Sequence, residues 1–311
     1  MTRMILSLIF GLTLSGVAAA ETPVERHGQL RVEGNRIVDQ HGEPVVLRGM
    51  SLFWSDEMPR FYNAETVRWL RDDWRVTVVR AAIAVREDGY LSHPERETAK
   101  AEAVIDAAIE AGIYVIVDWH AHQPEPEAAA RFFDHIAARY GDYPNVIYET
   151  YNEPLNIHGW AEVVKPYHMA VIPQIRARDP DNLIVAGTPT WSQDVDIAAA
   201  DPLPFTNVAY TLHFYAGTHR QELRDKAAAA LASGAALADG DGPVDVDETR
   251  LWLSFLEANH LSQANWSITD KAEGSAALRP GASGTGGWSE DMLTPSGRLV
   301  RMRLRDANPP E

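Results

Sequence analysis

Two carboxylates close together in an apolar segment are the first residues of this sequence whose types and spacing suggest catalysis. The segment YETYNEP, residues 148–154, holds Glu149 and Glu153. A pair of carboxyl groups can divide acid and base roles between them, as the hydrolysis of a glycosidic bond requires. The positions of these two acids in the fold decide whether they form such a pair.

The strand geometry of this segment separates the two acids. Alternate residues of a strand share a face, so Glu149, Tyr151 and Glu153 are expected to point the same way, with Glu149 about 13 Å deeper than Glu153. Two-carboxylate hydrolysis needs separations of about 5 Å or about 6.5–9.5 Å. We therefore predict that Glu149 is an interior acid paired with a base. Glu153, followed by Pro154 and preceded by Asn152, is predicted to be the reactive acid, with the Asn152 amide holding a substrate hydroxyl.

The composition narrows the class of ligand. The chain has 311 residues, of which 45% are hydrophobic and nine are Trp, enough for a large core. A formal net charge of -16 argues against nucleic acid and anionic membranes as partners and favours an uncharged ligand. The chain has no cysteine, so its core must stabilise it without disulfides.

The first twenty residues have the features of a secretory signal peptide. Arg3 precedes an apolar stretch from Ile5 to Val17, and Ala18 and Ala20 form an A-x-A cleavage site before Glu21. The alternative is a membrane anchor, but the stretch is shorter than the roughly 20 residues that a membrane span needs. We expect a secreted protein in which residues 21–311 form a single catalytic domain.

Strand-like and helix-like patterns alternate along the rest of the chain. A hairpin over residues 30–49 is expected to lead into a first buried strand. Further strands are predicted at 76–83, 113–120, 145–154, 182–188, 207–215 and 263–268. Amphipathic segments lie between most of them, and this alternation indicates a parallel sheet.

The ends of the predicted strands favour a (β/α)8 barrel. In such a barrel the carboxyl ends of all strands form one mouth, where catalytic residues lie. The polar and aromatic residues at these ends are Arg80, His120, Glu153, His213 and Trp266. A doubly wound open sheet is the alternative, but it usually carries a Gly-rich loop after its first strand, and LRGMSLFW offers none.

The segment NVIYETYNEP resembles the Asn-Glu-Pro signature of glycoside hydrolase family 5, the cellulase family, and is close to its bacterial secreted endoglucanase branch. Further segments resemble that family in the same order: VVLRGMS, VVRAAI, GIYVIVDWH, RYGDYPNVIYE, VIPQIRARDPDNLIVAGTPTWSQDV, VAYTLHFYAGTH and LSQANWSITDKAEGSAALRPGASGTGGW. The resemblance covers most of the chain after residue 20. It implies a (β/α)8 barrel that cleaves β-1,4-glucan with retention and without a cofactor.

The resemblance also implies roles for individual residues. Glu153 matches the general acid/base, Asn152 the residue that binds the 2-hydroxyl, and Arg80 the arginine that keeps the nucleophilic carboxylate ionised. Positions that match sugar-binding or nucleophile-orienting residues are His120, His213 and Tyr215. Trp266 matches a platform under a glucose ring, and Trp191 and Lys271 match further subsite contacts. Trp54 and Trp119 are predicted to be core residues instead.

The motif WHAH, residues 119–122, has a competing interpretation as a metal site. Two histidines at the end of a barrel strand can bind zinc. Such a site needs further ligands, and only His213 and His219 are available at other strand ends, with no carboxylate beside them. We therefore predict no metal, because one aromatic-lined cleft accounts for the same histidines.

The expected partner of Glu153 is missing from the sequence. The family's nucleophile is a glutamate at the end of the seventh strand, in a run like Phe-Val-Thr-Glu-Trp-Gly. Here the corresponding region is GAALADGDGPVDVDE, residues 234–248, and the part that should contain the glutamate is absent. Asp241 falls at that position when no gap is counted, so it is the candidate surrogate. However, Asp239–Gly242 has turn composition, and aspartate is one methylene shorter.

This departure affects both fold and activity. We expect seven full strands and one truncated strand in a barrel that eight full strands should close. Loss of a nucleophile lowers hydrolysis by several orders of magnitude. Two hypotheses therefore remain: an endo-1,4-β-glucanase with impaired activity, or a non-hydrolytic β-glucan-binding protein. We expect a monomer, and the sequence leaves open cellulose, mixed-linkage glucan or mannan as substrate.

Overall fold

The structure is a computed structural model that describes residues 21–233, 237–238 and 245–308, with the backbone alone for Leu237 and Ala238. The predicted signal peptide, residues 1–20, and the candidate surrogate Asp241 lie outside the described residues.

The described strands form a small hairpin and one parallel sheet. The antiparallel hairpin consists of β1 (Arg31–Glu33) and β2 (Arg36–Val38), as predicted. The remaining strands are β3 (Arg48–Leu52), β4 (Val78–Ala84), β5 (Tyr114–His120), β6 (Val146–Glu149), β7 (Ile184–Ala186), β8 (Val208–Thr211), β9 (Leu237–Ala238) and β10 (Gln263–Ile268). Their order in the sheet is β10-β3-β4-β5-β6-β7-β8-β9, so chain neighbours are sheet neighbours, as in a (β/α)8 barrel.

Helices cover the outside of the sheet. The described α-helices are Pro23–His27, Ala64–Trp69, Pro94–Ala111, Pro126–Tyr140, Lys165–Arg176, Val195–Ala200, Gln221–Ala232, Val246–Ala258 and Pro295–Ala307. Two π-helical turns, Leu70–Trp74 and Trp160–Val164, each adjoin an α-helix, and two 3-10 turns lie at Pro59–Phe61 and Glu290–Met292. A short segment, Pro189–Ser192, contains left-handed residues. Within the described residues, no helix is both long and apolar enough to cross a membrane.

The strand that precedes Glu153 is shorter than predicted. β6 ends at Glu149, whereas the sequence pattern predicted a strand over 145–154. The chain then turns, and the amide of Asn152 donates to the carbonyl of Trp119 while the amide of Glu153 donates to that of Ala121. The estimate that Glu149 lies about 13 Å deeper than Glu153 is therefore wrong, because the rise per residue of a strand does not apply across this turn.

The described part of the seventh strand of the barrel is the two-residue β9. It pairs with β8 through Tyr210–Leu237 and Thr211–Ala238. Within the part of the chain that the structure describes, no pairing joins β9 to β10. Residues 234–236 and 239–244, on either side of β9, lie outside the described residues, so the truncation of the seventh strand stays a prediction.

The barrel interior is layered. An apolar layer near the amino ends of the strands includes Val78, Ile116 and Ile147. Two residues further along β4 and β6 come Arg80 and Glu149, which are 1% exposed. Because alternate residues of a strand share a face, Arg80 and Glu149 stand directly above the apolar layer, at the floor of the mouth.

The side chain of Trp252 packs the helix Val246–Ala258 against the barrel. Trp252 is fully buried and stacks on Phe214, with ring centroids 3.8 Å apart. Its indole N–H donates to the carbonyl of His219 at 2.7 Å. The helix Val246–Ala258, which follows β9 in the sequence, therefore packs on the segment after β8.

Replacing Trp252 with Ala should lower the free energy of unfolding by about 3–5 kcal/mol, because the change leaves a cavity and an unpaired carbonyl. The control is Leu251→Ala on the same helix, where the side chain is 54% exposed, and a change within about 0.5 kcal/mol is expected there. Urea denaturation measures both. Equal, small losses would show that this helix is not docked as described.

Candidate active site

A buried arginine organises the floor of the mouth. The Arg80 guanidinium pairs with both oxygens of Glu149, at 2.6 and 2.9 Å. It also contacts Asp118 at 2.9 Å and donates to Asn152 Oδ1 at 2.8 Å. Burial acts to raise the pKa of Glu149, but the Arg80 charge and hydrogen bonds from His213 and Arg80 outweigh it and hold that pKa below its ordinary value. Glu149 is thus an interior acid paired with a basic side chain, as the sequence predicted.

The side-chain amide of Asn152 is hydrogen-bonded through its oxygen, while its nitrogen is available to a ligand. Its Oδ1 accepts from Arg80, and the residue is 1% exposed. Its Nδ2 is buried and has no hydrogen-bond partner among the described residues. Because Asn152 lines the cavity that also holds Glu153, this amide is a donor available to a bound hydroxyl.

Glu153 lies between two histidines. His213 Nδ1 is 2.9 Å from Glu153 Oε1, and His122 Nε2 is 2.9 Å from Oε2. The other nitrogen of the His213 ring, Nε2, is 3.7 Å from Glu149 Oε1. Both carboxylates therefore contact one imidazole ring, and Glu149 lies close beneath Glu153.

This arrangement fixes the charge state of Glu153. Burial acts to raise its pKa, but hydrogen bonds from His122 and His213 outweigh burial and hold the pKa well below the ordinary value of 4.5. The carboxylate is ionised at neutral pH, which is the state of a general base. Its pairing stabilises the fold above pH 4.5, and this contribution is lost as the pH falls toward the lowered pKa.

Aromatic rings form one wall of the site. Trp266 stacks on His120 with centroids 5.1 Å apart and planes 6° apart. Trp54 meets the same imidazole edge-on at 4.2 Å. His120 Nδ1 is 2.5 Å from Asp118 Oδ2, while burial and the nearby charge of Arg80 hold the His120 pKa well below its ordinary value. The imidazole is thus neutral and held in one orientation between two indoles.

Two open cavities meet at Glu153. One has a volume of about 210 Å³, and its lining includes Arg80, His120, His122, Asn152, Glu153, His213, Tyr215, Trp54 and Trp266. The other, of about 330 Å³, is lined by Glu153, Trp191, Gln193, His213, Phe214, Tyr215 and His219. Glu153, His213 and Tyr215 belong to both, so the two cavities form one cleft with Glu153 at its middle.

The structure brings together most of the residues singled out in the sequence. Lys271 lies apart, since it lines neither cavity. Its Nζ lies 4.7 Å from the centre of the Phe53 ring and 2.6 Å from Glu57. Lys271 therefore lies at the edge of the cleft, where the Phe53 side chain separates it from Trp266.

Sequence reasoning missed several residues of the cleft, among them Trp54 and His122. Trp54 was predicted to be core, but it is half-buried and lines the cavity, whereas Trp119 is fully buried as predicted. His122 was considered only as a metal ligand, yet it is a direct partner of Glu153. The signal for His122 was its place two residues beyond the end of β5, next to the predicted mouth.

A larger cavity of about 440 Å³ lies at the opposite end of the barrel. Its lining includes Arg26, Arg48, Arg71 and Arg75, and it contains none of the predicted site residues. Volume alone therefore does not locate the site, whereas the convergence of carboxylates, histidines and indoles does. Among the described residues, no group of three or more His, Asp or Glu side chains is placed to hold a metal ion.

An open, aromatic-lined cleft with a central carboxylate at the mouth of a (β/α)8 barrel is the site of a carbohydrate-processing protein. Residues 38–272 match the profile of the family described as cellulase (glycosyl hydrolase family 5). The chain belongs to glycosyl hydrolase family 5.

Individual relatives agree with this assignment. An endoglucanase of Clostridium saccharobutylicum is 42% identical over 98% of this chain and 71% of its own length. A solved structure from Cytophaga hutchinsonii is 51% identical with a TM-score of 0.91, covering 93% of this chain and 98% of its own. The catalytic domain of Thermobifida fusca endoglucanase E5, solved with cellotetraose, is 33% identical with a TM-score of 0.86, covering 91% of this chain and 99% of its own.

Replacing His122 with Ala should raise the pKa of Glu153, because one of the two hydrogen bonds that stabilise its charged form is lost. The carboxyl 13C resonance of Glu153, followed between pH 2 and 8, measures this shift. The matched control is His135→Ala, which removes a histidine that pairs with Glu102 on the surface and should leave the Glu153 titration unchanged. A Glu153 titration unaffected by His122→Ala would contradict the pairing.

Proposed function

We propose that this chain is an endo-acting glycoside hydrolase of β-1,4-glucan, of the retaining two-carboxylate type, with Glu153 as its general acid/base and with hydrolysis severely impaired. The position of Glu153 in the middle of a cleft that is open on both sides carries this proposal. A cleft of this shape accommodates sugar units on either side of the scissile bond, as cleavage within a chain requires. The cellotetraose complex of the Thermobifida fusca relative supports the same class of ligand.

The side chains of the cleft suit a glucan chain. A glucose ring has an apolar face that covers an indole, which Trp266 supplies on one side of Glu153 and Trp191 on the other. Its hydroxyl edge needs fixed donors, and the open Nδ2 of Asn152 is one of them. The formal net charge of -16 is compatible with an uncharged polysaccharide.

Two observations support impaired hydrolysis. The sequence of residues 234–248 has no glutamate before Glu248, so the family's attacking carboxylate has no counterpart at the expected position. In addition, the low pKa of Glu153 keeps the proposed donor deprotonated at neutral pH, whereas a general acid must carry a proton. In a complete retaining site the second carboxylate acts as the nucleophile and its charge raises the pKa of the donor.

A non-hydrolytic glucan-binding protein is the second candidate, and the same two observations favour it. The aromatic walls and the Asn152 amide do not depend on a nucleophile, so binding should persist where turnover fails. We also propose that the protein is secreted, on the basis of the signal-peptide features of residues 1–20.

The variant Glu153→Gln separates these two functions. It should bind cellotetraose within about threefold of the parent chain, because the amide is nearly isosteric. Reducing-sugar release from carboxymethyl cellulose should fall by at least about 100-fold if the parent shows any turnover, because the proton-transfer group is lost. The control is Glu102→Gln, a surface change far from the cleft. Turnover that survives Glu153→Gln would contradict the acid/base assignment, and binding without turnover in the parent would favour the glucan-binding protein.

Restoring the missing segment should restore function. Inserting Phe-Val-Thr-Glu-Trp-Gly between Leu237 and Ala238 supplies both a strand end and a carboxylate. We expect hydrolysis of carboxymethyl cellulose to rise by several orders of magnitude, and the melting temperature to rise as well. The control insertion carries Gln in place of Glu, and it should raise the melting temperature alone. An insertion that changes neither quantity would show that the gap is misplaced.

A further inference from the structure

Three consecutive residues beside the cleft adopt a left-handed backbone conformation. Thr190, Trp191 and Ser192 have φ angles of 57°, 54° and 58°. None of them is glycine, so each Cβ crowds the following carbonyl oxygen, and such residues rarely occur in succession. A strained conformation persists only where the surrounding structure holds it, and it commonly occurs at a functional site.

Ser192 connects this turn to the segment that carries Asn152 and Glu153. Its side chain is fully buried, and its hydroxyl donates to the carbonyl of Asn152 at 2.6 Å. The same hydroxyl oxygen accepts from the amide of Thr188 at 3.2 Å. The carbonyl of Ser192 accepts from the amide of His213 at 2.9 Å. One residue thus joins the turn that bears Glu153 to the segment that bears its imidazole partner.

The neighbouring backbone follows the same turn closely. The amide of Trp191 donates to the carbonyl of Pro154 at 2.8 Å. A Cβ on Gly187 would lie 2.0 Å from the carbonyl oxygen of Tyr151, so only glycine permits this approach. His168, whose pKa is lowered to about 4 by burial, donates from Nε2 to the Gly187 carbonyl at 2.9 Å. These contacts hold the left-handed turn against residues 151–154.

A hydrogen bond and an ion pair also hold the left-handed turn at Thr190. The hydroxyl of Thr190 donates to Asp194 Oδ2 at 2.6 Å, and Lys226 pairs with the other oxygen of that carboxylate at 2.6 Å. Trp191, held between these two sets of contacts, is 37% exposed and lines the cavity of about 330 Å³. The left-handed conformation therefore presents an indole to the cleft while Ser192 faces inward.

We propose that Ser192 is a positioning residue, which sets Glu153 against His213 and at the same time fixes Trp191 as a platform for a β-1,4-glucan chain. The part that concerns the glucan rests on the proposed function, whereas the placement of His213 against Glu153 does not. The strain of residues 190–192 is held by the hydrogen bonds that Ser192 makes with Asn152, Thr188 and His213.

Two substitutions of Ser192 separate positioning from stability. Ser192→Ala removes the hydroxyl and keeps the strain, whereas Ser192→Gly removes the hydroxyl and relieves the strain. Both variants should bind cellotetraose roughly tenfold more weakly in calorimetry, since the hydrogen bonds to Asn152 and Thr188 are lost. Ser192→Gly should melt roughly 1–3 °C above Ser192→Ala.

The matched control is His260→Gly. His260 is another left-handed residue, with φ 56°, and it is exposed beyond the helix Val246–Ala258. This change should raise the melting temperature by roughly 1–3 °C, because it relieves the same kind of strain, and should leave the affinity for cellotetraose unaltered. If Ser192→Gly binds the tetraose as tightly as the parent chain does, the hydroxyl does not position the cleft and the proposal is wrong.

A spectroscopic readout keeps the test independent of the proposed function. In chains with 15N-labelled histidine, the Nδ1 resonance of His213, identified by its loss in His213→Gln, reports the contact with Glu153. We expect it to shift in both Ser192 variants and to stay unchanged in His260→Gly. A parent chain that does not bind the tetraose would reject the proposed function alone. An unchanged His213 resonance in both Ser192 variants would reject the positioning role.

Discussion

The site depends on one buried cation. Arg80 is 1% exposed and stands above the apolar interior of the barrel, where a single unpaired charge would be very costly. Glu149, Asp118 and the Asn152 amide oxygen surround its guanidinium, so three barrel segments are held at fixed distances from one group. The positions of His120, Asn152 and His213 follow from this arrangement, because each contacts Arg80 or one of its two acids.

The charge balance above Arg80 favours the ionised form of Glu153. Glu153 is hydrogen-bonded to two imidazoles, His122 and His213, so its charged form is stabilised. A second acid opposite Glu153 would oppose that effect by repulsion and would restore a proton to the donor. Under the proposed function, residues 234–248 lack the attacking carboxylate, and the same lack leaves Glu153 in its basic form.

The barrel and most of the cleft were predictable from the sequence, because alternating strands and helices place all strand ends in one mouth. The contact of Glu149 and Glu153 with one imidazole was not predictable. It depends on where β6 ends, and the run 145–154 shows no break at Glu149. Likewise, Trp54 and His122 enter the cleft through loops whose course no periodicity specifies. The left-handed turn at Thr190–Ser192 was hidden for the same reason, since no glycine marks it.

The most direct test of the missing attacking oxygen is covalent trapping. A 2-deoxy-2-fluoro cellobioside with a good leaving group forms a long-lived glycosyl ester with the nucleophile of a retaining glycosidase. Intact-mass spectrometry of the chain after incubation should show no adduct, while the chain with the restored segment should become labelled stoichiometrically. A stoichiometric adduct on the parent chain, mapped to any Asp or Glu, would contradict the account.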